Sequence, residues 1–570
     1  MSKKYHSMLA GGTLTMMIVS VLLMSDSIIA GIFLGSDAVA GITQVTPLYS
    51  MTAFFGSLFS IGIPILYSNE VGKFRKEEAD RIFGFGFLLS VAAGILLFAV
   101  TTIFGNLFLD NQDAASKVFQ EANAYLRWMR FSILVLPLQM FISEMVYADG
   151  DETISTLGNI VQGAGNIAAS AMLAGVMGVG GIGLASFLFN LAALGVFSIH
   201  FAKKSNSLKL HLYYSVRLLK NVVRYSMIDA GSYLFLGILT AVLNQFVSWN
   251  YGADSLVLVS VIALVREMQM VFDGIGEAVT PIFSIYFGEE CYDGVRRIWI
   301  RARRTAVIEG AAVTLTLIVF APFLPKLLDI SDPQLIVRSV TGIRILALNS
   351  VFVSLLYLLT SYYLVARKIV LGLVISALRD VLVPAPFALL FGLCWKDTGM
   401  FLGLAAAPAA VFALSYAYLM IRYGRADCPL LLASLGDDLR SFLFDLTTQP
   451  EEIISLQKKI ENLLEEHNMD RHTIKRVKLL IEDIFMYIRE KNDGKAILCE
   501  CAILFRPNGI QIITRDEGKI YDLTKEDAAV TSLLSLAVSS QMERLGSNKK
   551  YLTSMGFNRS SFLIGAERTS

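Results

Sequence analysis

Asp26 lies inside the first apolar run of the chain, between Leu22-Leu23-Met24 and Ile28-Ile29-Ala30. An aspartate at the centre of a membrane helix costs about 2.5–3.5 kcal/mol on insertion scales, so it persists where it faces a water-filled cavity or an ion. A carboxylate whose hydration alternates can take up and release a proton near neutral pH, which is the chemistry of ion coupling. The alternative is a structural aspartate hydrogen-bonded to a neighbouring helix. A second set is Arg266, Met270, Asp273 and Glu277, at i, i+4, i+7 and i+11, with Gln269 beside them. That spacing predicts one stripe on one helix face. Ionisable groups on an embedded stripe avoid lipid. The stripe therefore reads either as a cavity wall for organic cations, with methionine as an adaptable contact, or as an internal Arg266–Asp273 ion pair. Glu267 points off the stripe and reads as structural. The adjacent Arg379 and Asp380 predict local neutralisation.

These residues need helices to hold them. Twelve stretches are apolar over the roughly 20 residues that a crossing requires, from 9–34 to 399–422. Those near 44–69 and 255–287 carry Pro64 and Pro281, where kinks are expected. Hydrophobic residues make up 55 % and charged residues 17 % of the 570, and mean hydropathy is +0.58. This is membrane composition. The first 425 residues also read as one unit written twice. Gly35-Ser36-Asp37 recurs as Gly252-Ala253-Asp254, an offset of 217. Gly72, Arg81, Ile82 and Tyr147 recur as Gly288, Arg297, Ile298 and Tyr363, an offset of 216. Gly183-Leu184-Ala185 recurs as Gly403-Leu404-Ala405, an offset of 220. Internal duplication is the architecture of secondary transporters, with the site between the halves.

The net charge of +1 gives no reason to expect nucleic acid, but its placement orients the chain. Alternate loops carry Lys73, Arg75, Lys76 and Arg81, then Lys203 to Lys220, then Arg296 to Arg304, then Arg367 and Lys368. The positive-inside rule puts these loops and both termini in the cytoplasm. One loop on that side, with Asp149, Asp151 and Glu152, is acidic instead. The five cysteines predict no disulfide framework, and Cys499-x-Cys501 without a second ligand pair predicts no metal site.

Beyond Arg425 the apolar runs stop and a charged, soluble segment begins. Thr448-Gln449-Pro450-Glu451 reads as a helix start running to about His467, and a second helix follows over 473–491. Alternating runs at 496–505 and 510–515 around Pro507-Asn508-Gly509 read as a hairpin. A helix near 525–544 and a strand near Phe562–Ala566 complete an α/β two-layer domain.

The membrane part resembles the MATE family, the multidrug and toxic compound extrusion antiporters. The resemblance is carried by Asp26 with Gly31, Gly35 and Asp37-Ala38-Val39-Ala40, then Gly62, Gly72 and Glu77-Glu78-Ala79. It continues through Tyr125-Leu126-Arg127, Pro137, Ala148-Asp149-Gly150-Asp151, Asn166 and Gly178 to Ser186. It implies that Asp26 couples transport to H+ or Na+. Sodium-binding relatives add an asparagine, a second aspartate four residues on, and a hydroxyl. Here Asn166 and Ser186 match, but the aspartate position is Ser170. One carboxylate fewer favours a proton over a desolvated sodium ion.

The soluble segment resembles the GHKL ATPase fold in its anti-sigma-factor-kinase-like branch. The resembling residues are Leu480 to Ile488, Arg515-Asp516-Glu517-Gly518, and Met555-Gly556-Phe557-Asn558. The resemblance implies a nucleotide site with Glu482 and Asp483 as activating acids and Asp516-x-Gly518 reading adenine. The magnesium-holding asparagine is replaced by Tyr487, and no Gly-x-Gly lid occurs between 525 and 550. A phenol is a poor magnesium ligand, and a phosphate cradle needs closely spaced glycines. A degenerate domain without ATP or magnesium turnover is expected.

The expectation is an all-α polytopic membrane protein of the plasma membrane, with twelve helices in two pseudo-symmetric six-helix lobes, 1–215 and 216–425. A linker at 426–436 leads to a cytoplasmic α/β domain at 437–570. The function implied is secondary antiport rather than enzymatic turnover, exporting organic cationic or amphipathic solutes such as drugs. It uses H+ or Na+ and no other cofactor. The lipid bilayer, the solute and a cytoplasmic protein at 437–570 are the partners. Two other readings share this architecture: a flippase for a lipid-linked precursor, and a receptor signalling through its GHKL-like domain.

Overall fold

In hydrocarbon, every backbone N–H and C=O must find a partner within the chain, so apolar runs of this length fold as helices. The computed structural model describes residues 2–109, 117–204, 206–251, 255, 257–327, 332–425, 428–432, 441–506, 509–521, 550–554 and 557–564. Helices α1 (Ser2–Phe33), α2 (Ser36–Gly72) and α3 (Lys76–Leu109) come first. They are followed by α4 (Lys117–Ala148), α5 (Glu152–Met177) and α6 (Val179–Phe201). Next come α7 (Val216–Tyr251), α8 (Val257–Gln269), α9 (Asp273–Glu289) and α10 (Tyr292–Phe320). The short α11 (Leu324–Leu327) precedes α12 (Pro333–Ala347), α13 (Ser350–Val365), α14 (Ile369–Ala377) and α15 (Pro384–Tyr423).

Among the described residues seven helices are long and apolar enough to cross a membrane, or eight if α12 and α13, bent by 48°, form one span. The chain is thus a multi-pass membrane protein. One of the seven stretches, Ile369–Tyr423, is 55 residues long. At 1.5 Å per residue that is about 82 Å, more than twice a hydrocarbon core of about 30 Å. It is broken at Trp395 and Lys396, where φ is −130° and +53°. Helices α8 and α9 are joined by a 3₁₀ turn at Met270–Phe272, so the irregularity expected at Pro281 falls eleven residues earlier.

Left-handed backbone is uncommon outside glycine, and here it recurs at one repeat spacing. Phe74 and Glu290 have φ of 58° and 61° at an offset of 216. Gly150 and Arg367, at an offset of 217, have φ of 95° and 59°. Helix α2 packs against α7 and α9, and α1 packs against α9. The closest approach joins repeat-related glycines: a Cβ added to Gly72 would lie 2.8 Å from the Gly288 Cα, and the converse distance is also 2.8 Å. No side chain fits between these backbones.

The C-terminal part is an antiparallel sheet in the order β1-β2-β3-β5-β4. Its strands are β1 (Ser441–Thr447), β2 (Leu498–Arg506), β3 (Gly509–Asp516), β4 (Lys550–Ser554) and β5 (Phe557–Ile564). Helices α16 (Pro450–Glu466) and α17 (Arg471–Lys491) cover one face, over Cys499, Cys501, Ile503, Ile510, Ile512 and Phe562. The alternate residues Leu443, Ala502, Leu504, Ile513 and Phe557 join the core of α9, α10 and α13 instead. The predicted hairpin and last strand correspond to β2–β3 and β5, while β1 and β4 were not anticipated. The helix expected near 525–544 lies outside the described residues. The N-cap of α16 is Gln449 without a side-chain cap bond. Thr448, expected to cap it, donates to the Lys495 carbonyl instead.

The glycine contact has a testable consequence. In Gly72→Val the new Cβ would meet the Ile285 carbonyl at 2.6 Å as well as Gly288. Overpacking of this kind costs about 1–3 kcal/mol, so the detergent-solubilised variant should unfold at a lower temperature than the parent. An unchanged midpoint would contradict this packing.

Candidate functional site

Asp26 sits two-thirds of the way along α1, where α1 meets α2 and α4. Its Oδ2 accepts a hydrogen bond from the Tyr125 hydroxyl at 2.8 Å. Its Oδ1 is buried and finds no donor among the described residues. Tyr49 of α2 lies within electrostatic reach. The carboxylate is thus oriented by one phenol, as the structural reading required, and left half-satisfied. A buried acceptor without a partner is where a proton, water or ion is expected.

Asn166, Ser170 and Ser186 form one buried cluster between α5 and α6. The Asn166 amide donates to Ser186 Oγ at 3.0 Å and accepts from Ser170 Oγ at 2.8 Å. Ser186 Oγ in turn donates to the Ile182 carbonyl. These bonds close among themselves, and the bond to Asp26 comes from Tyr125 instead.

The stripe from Arg266 to Glu277 is divided by the 3₁₀ turn, so its members do not share one environment. Arg266 pairs with Asp380 at 3.5 Å rather than with Asp273. Asp380 is also gripped by Arg379 at 2.8 Å and by Ser376 Oγ at 3.1 Å. The Arg379 guanidinium lies 3.9 Å from the Tyr357 ring centre. Asp273 stands within electrostatic reach of Tyr357 and Arg379, so two arginines and two aspartates balance inside the C-terminal half. Gln269 is buried and donates to Asn349 at 2.7 Å and Ser350 at 3.0 Å. It ties α8 to the start of α13. Met270 is half-buried within the turn. Glu277 faces the other half: a Cβ on Gly12 of α1 would lie 3.2 Å from both Glu277 Oε2 and the Tyr147 hydroxyl.

Two further carboxylates resemble Asp26 in having one buried oxygen without a donor among the described residues. Glu309 of α10 accepts from Thr13 of α1 at 3.1 Å, and its Oε2 is buried without a donor among the described residues. Glu267 is in the same position with its own Oε2, next to a bond from Ser20 of α1 to its carbonyl at 3.0 Å. Glu309 stands in an apolar run, the same signal that marked Asp26, and the sequence reading passed over it.

The acidic loop that broke the charge pattern is neutralised internally. Asp149 accepts from His200 Nε2 at 3.0 Å, the Ser207 backbone N–H at 2.9 Å and Tyr67 at 3.3 Å. Asp151 pairs with His200 Nδ1 at 2.9 Å and Lys203 at 2.7 Å. Glu152 pairs with Lys4 at 2.5 Å. A cavity of about 520 Å³ lies beside the C-terminal ends of α2 and α9, lined by Asn69, Lys73, Glu290, Arg367 and Arg506 among others. Neither Asp26 nor the stripe reaches it.

In the sheet domain, Asp516 is buried and already bonded. It accepts from the Gly518 N–H at 3.0 Å, from the Asn558 amide at 2.9 Å and from the Tyr521 hydroxyl. Gly518 is wrapped by the Asn492 side chain, whose amide nitrogen lies 2.4 Å from where a Cβ would be. The Tyr487 ring stands edge-on to Tyr521 at 5.5 Å. Glu482 accepts from Gln457 at 2.9 Å. The chain's own groups therefore take three of the roughly four acceptor sites of the Asp516 carboxylate. The segment where a lid would lie is outside the described residues.

Residues 13–172 match the MatE family model. The chain is 23 % identical over 397 residues to the multidrug export protein MepA of Staphylococcus haemolyticus, covering 67 % of this chain and 86 % of that protein. Among solved structures, it superimposes with a TM-score of 0.68 on an outward-facing multidrug resistance MATE family transporter of the MOP superfamily. That match has 16 % identity over 74 % of this chain and 95 % of the other. A MOP superfamily transporter from Pyrococcus furiosus, described as having a binding pocket of reversed polarity, matches with a TM-score of 0.67, also at 16 % identity and over 74 % of this chain and 95 % of that one. The fold of the helical part is therefore that of the MATE transporters.

Asp483 offers a pH test. Burial, with Glu482 adjacent, pushes its carboxyl up from 3.8 to about 6. The folded state then binds the proton more tightly than the unfolded chain, so stability should fall as pH rises from 3.8 to about 6. Asp483→Asn should flatten that slope, measured as the melting temperature of the full chain across this range. An equal slope in parent and variant would contradict the assignment.

Proposed function

We propose that this chain is a cation-coupled antiporter that exports organic, cationic or amphipathic solutes by alternating access, with H+ rather than Na+ as the coupling ion. Two six-helix lobes, each built from one copy of the repeat, would rock against each other, closing and parting the Gly72–Gly288 contact. The breaks at Trp395–Lys396, at the 3₁₀ turn and at α12–α13 support a reading in which the fifteen helical segments make twelve crossings. Both termini and the sheet domain would then face the cytoplasm.

The observation that carries the reading is the half-satisfied Asp26, with one oxygen on Tyr125 and the other buried without a donor among the described residues. Placed in a fold shared with known exporters, such a carboxylate is suited to carry a proton between two hydration states. Ser170 in place of a second carboxylate, and the self-contained bonding of Asn166, Ser170 and Ser186, leave little negative charge for a dehydrated sodium ion. The solute would pass between the lobes, along the face of α1 that Glu277 and Glu309 approach. The filled positions around Asp516, with Tyr487 at the magnesium position, favour a regulatory domain over an ATPase.

The test is uptake of a cationic dye into inside-out vesicles under an imposed proton gradient. Asp26→Asn should abolish gradient-driven uptake while leaving the protein folded and inserted. Uptake at the parental rate would remove Asp26 from coupling, and the antiporter reading with it.

A further inference from the structure

The alternation of a strand points every second residue of the sheet at the helices, and four of those residues fall in one transverse row. Asp445 of β1 pairs in register with Glu500 of β2, Glu500 with Arg515 of β3, and Arg515 with Arg559 of β5. A row of four charges on an apolar face would be costly unless each met a partner. Each meets one on the cytoplasmic ends of the membrane helices. Asp445 pairs with Arg297 of α10 at 3.4 Å. Glu500 accepts from the Tyr286 hydroxyl of α9 at 3.3 Å. Arg515 pairs with Glu289 of α9 and lies over the Tyr286 ring, and Arg559 pairs with the same Glu289. Glu289, Arg515 and Arg559 have fully buried side chains.

Asp445, Glu500 and Arg515 each meet a group of the second half. Arg559 reaches the first half as well. Its Nη1 donates to the Val71 carbonyl at 3.1 Å, its Nη2 approaches the Gly72 carbonyl at 3.5 Å, and its guanidinium lies over the Phe74 ring. Val71 and Gly72 are the last residues of α2, where carbonyls lack intrahelical partners and the helix end carries partial negative charge. The same guanidinium therefore holds the end of α2 and the end of α9, beside the glycines where these helices touch.

We propose that the sheet domain is an intramolecular latch, anchored on the second lobe through Glu289 and closed onto the first by Arg559, which holds the cytoplasmic gate shut. Opening that gate separates Gly72 from Gly288, so Arg559 must release either the α2 carbonyls or Glu289. This rests on the alternating-access reading and specifies what its regulatory domain does. The geometry is that of a fork with one prong on each lobe, which a lysine cannot reproduce.

The experiment measures lobe separation rather than transport. Spin labels are placed at the exposed Glu77 and Arg296, on the cytoplasmic ends of α3 and α10, in a background with Cys394 and Cys428 replaced by serine. Distances are then read by double electron–electron resonance in lipid nanodiscs. The parent should show one short distance. Arg559→Ala should raise the population of a longer distance by about tenfold, the size expected for losing a charge-assisted hydrogen bond, and Arg559→Lys should fall between. Lys478→Ala, on the far side of the domain, should match the parent. Should Arg559→Ala fail to fold, Arg559→Lys carries the test. Distributions identical to the parent in every folded Arg559 variant would overturn the latch. Loss of the latch would not touch the antiporter reading, which stands or falls on the dye experiment with Asp26→Asn.

Discussion

The approach of Gly72 to Gly288 sets the geometry on which the rest of the molecule depends. Because neither residue has a side chain, α2 and α9 meet backbone to backbone at this point of the wider interface that α1 and α2 form with α7 and α9. That arrangement leaves the C-terminal ends of both helices close together. Their terminal carbonyls and the Glu289 carboxylate then form one compact acceptor surface. The sheet domain supplies the donors. A wider separation of the helices would put Val71 and Glu289 out of reach of a single guanidinium.

Inside the helical part, low dielectric sorts the charges into two kinds. Arg266, Arg379, Asp273 and Asp380 compensate one another around Tyr357 and Ser376, so they add rigidity to the second half and leave no net charge there. Asp26, Glu267 and Glu309 are different, for each keeps one buried oxygen without a donor among the described residues. A buried acceptor left without a donor is costly. All three lie on or against α1: Asp26 within it, Glu309 bonded to Thr13, and Glu267 beside Ser20. The first helix is thus the element along which all three carboxylates are gathered.

Residue types were legible in the sequence, and partners were not. Asp26 stood out because insertion cost depends only on its place in an apolar run, and the same rule applied evenly would have found Glu309. The Arg266–Asp380 pair could not be read, because its members are 114 residues apart and meet through packing of helices whose rotation periodicity does not fix. The stripe from Arg266 to Glu277 was drawn with a constant 3.6-residue period, which the turn at Met270–Phe272 breaks. In the sheet domain the alternation of β2 and β3 was visible, but the charge row was not, since it exists only once Glu500, Arg515 and Arg559 come into register. Asp516 carried the expected motif, yet its bonds to Tyr521 and Asn558 depend on a sheet edge that the motif does not describe.

The proposed motion of the two halves against each other can be tested by preventing it. The Arg367 guanidinium of the second lobe bonds the Asn69 amide oxygen of the first at 3.1 Å, so cysteines at these two positions can be joined by a short reducible thiol cross-linker. Dye uptake into inside-out vesicles should stop when the link forms and return when it is reduced. Uptake that continues at the uncross-linked rate, with the link shown to be complete, would contradict alternating access through this gate.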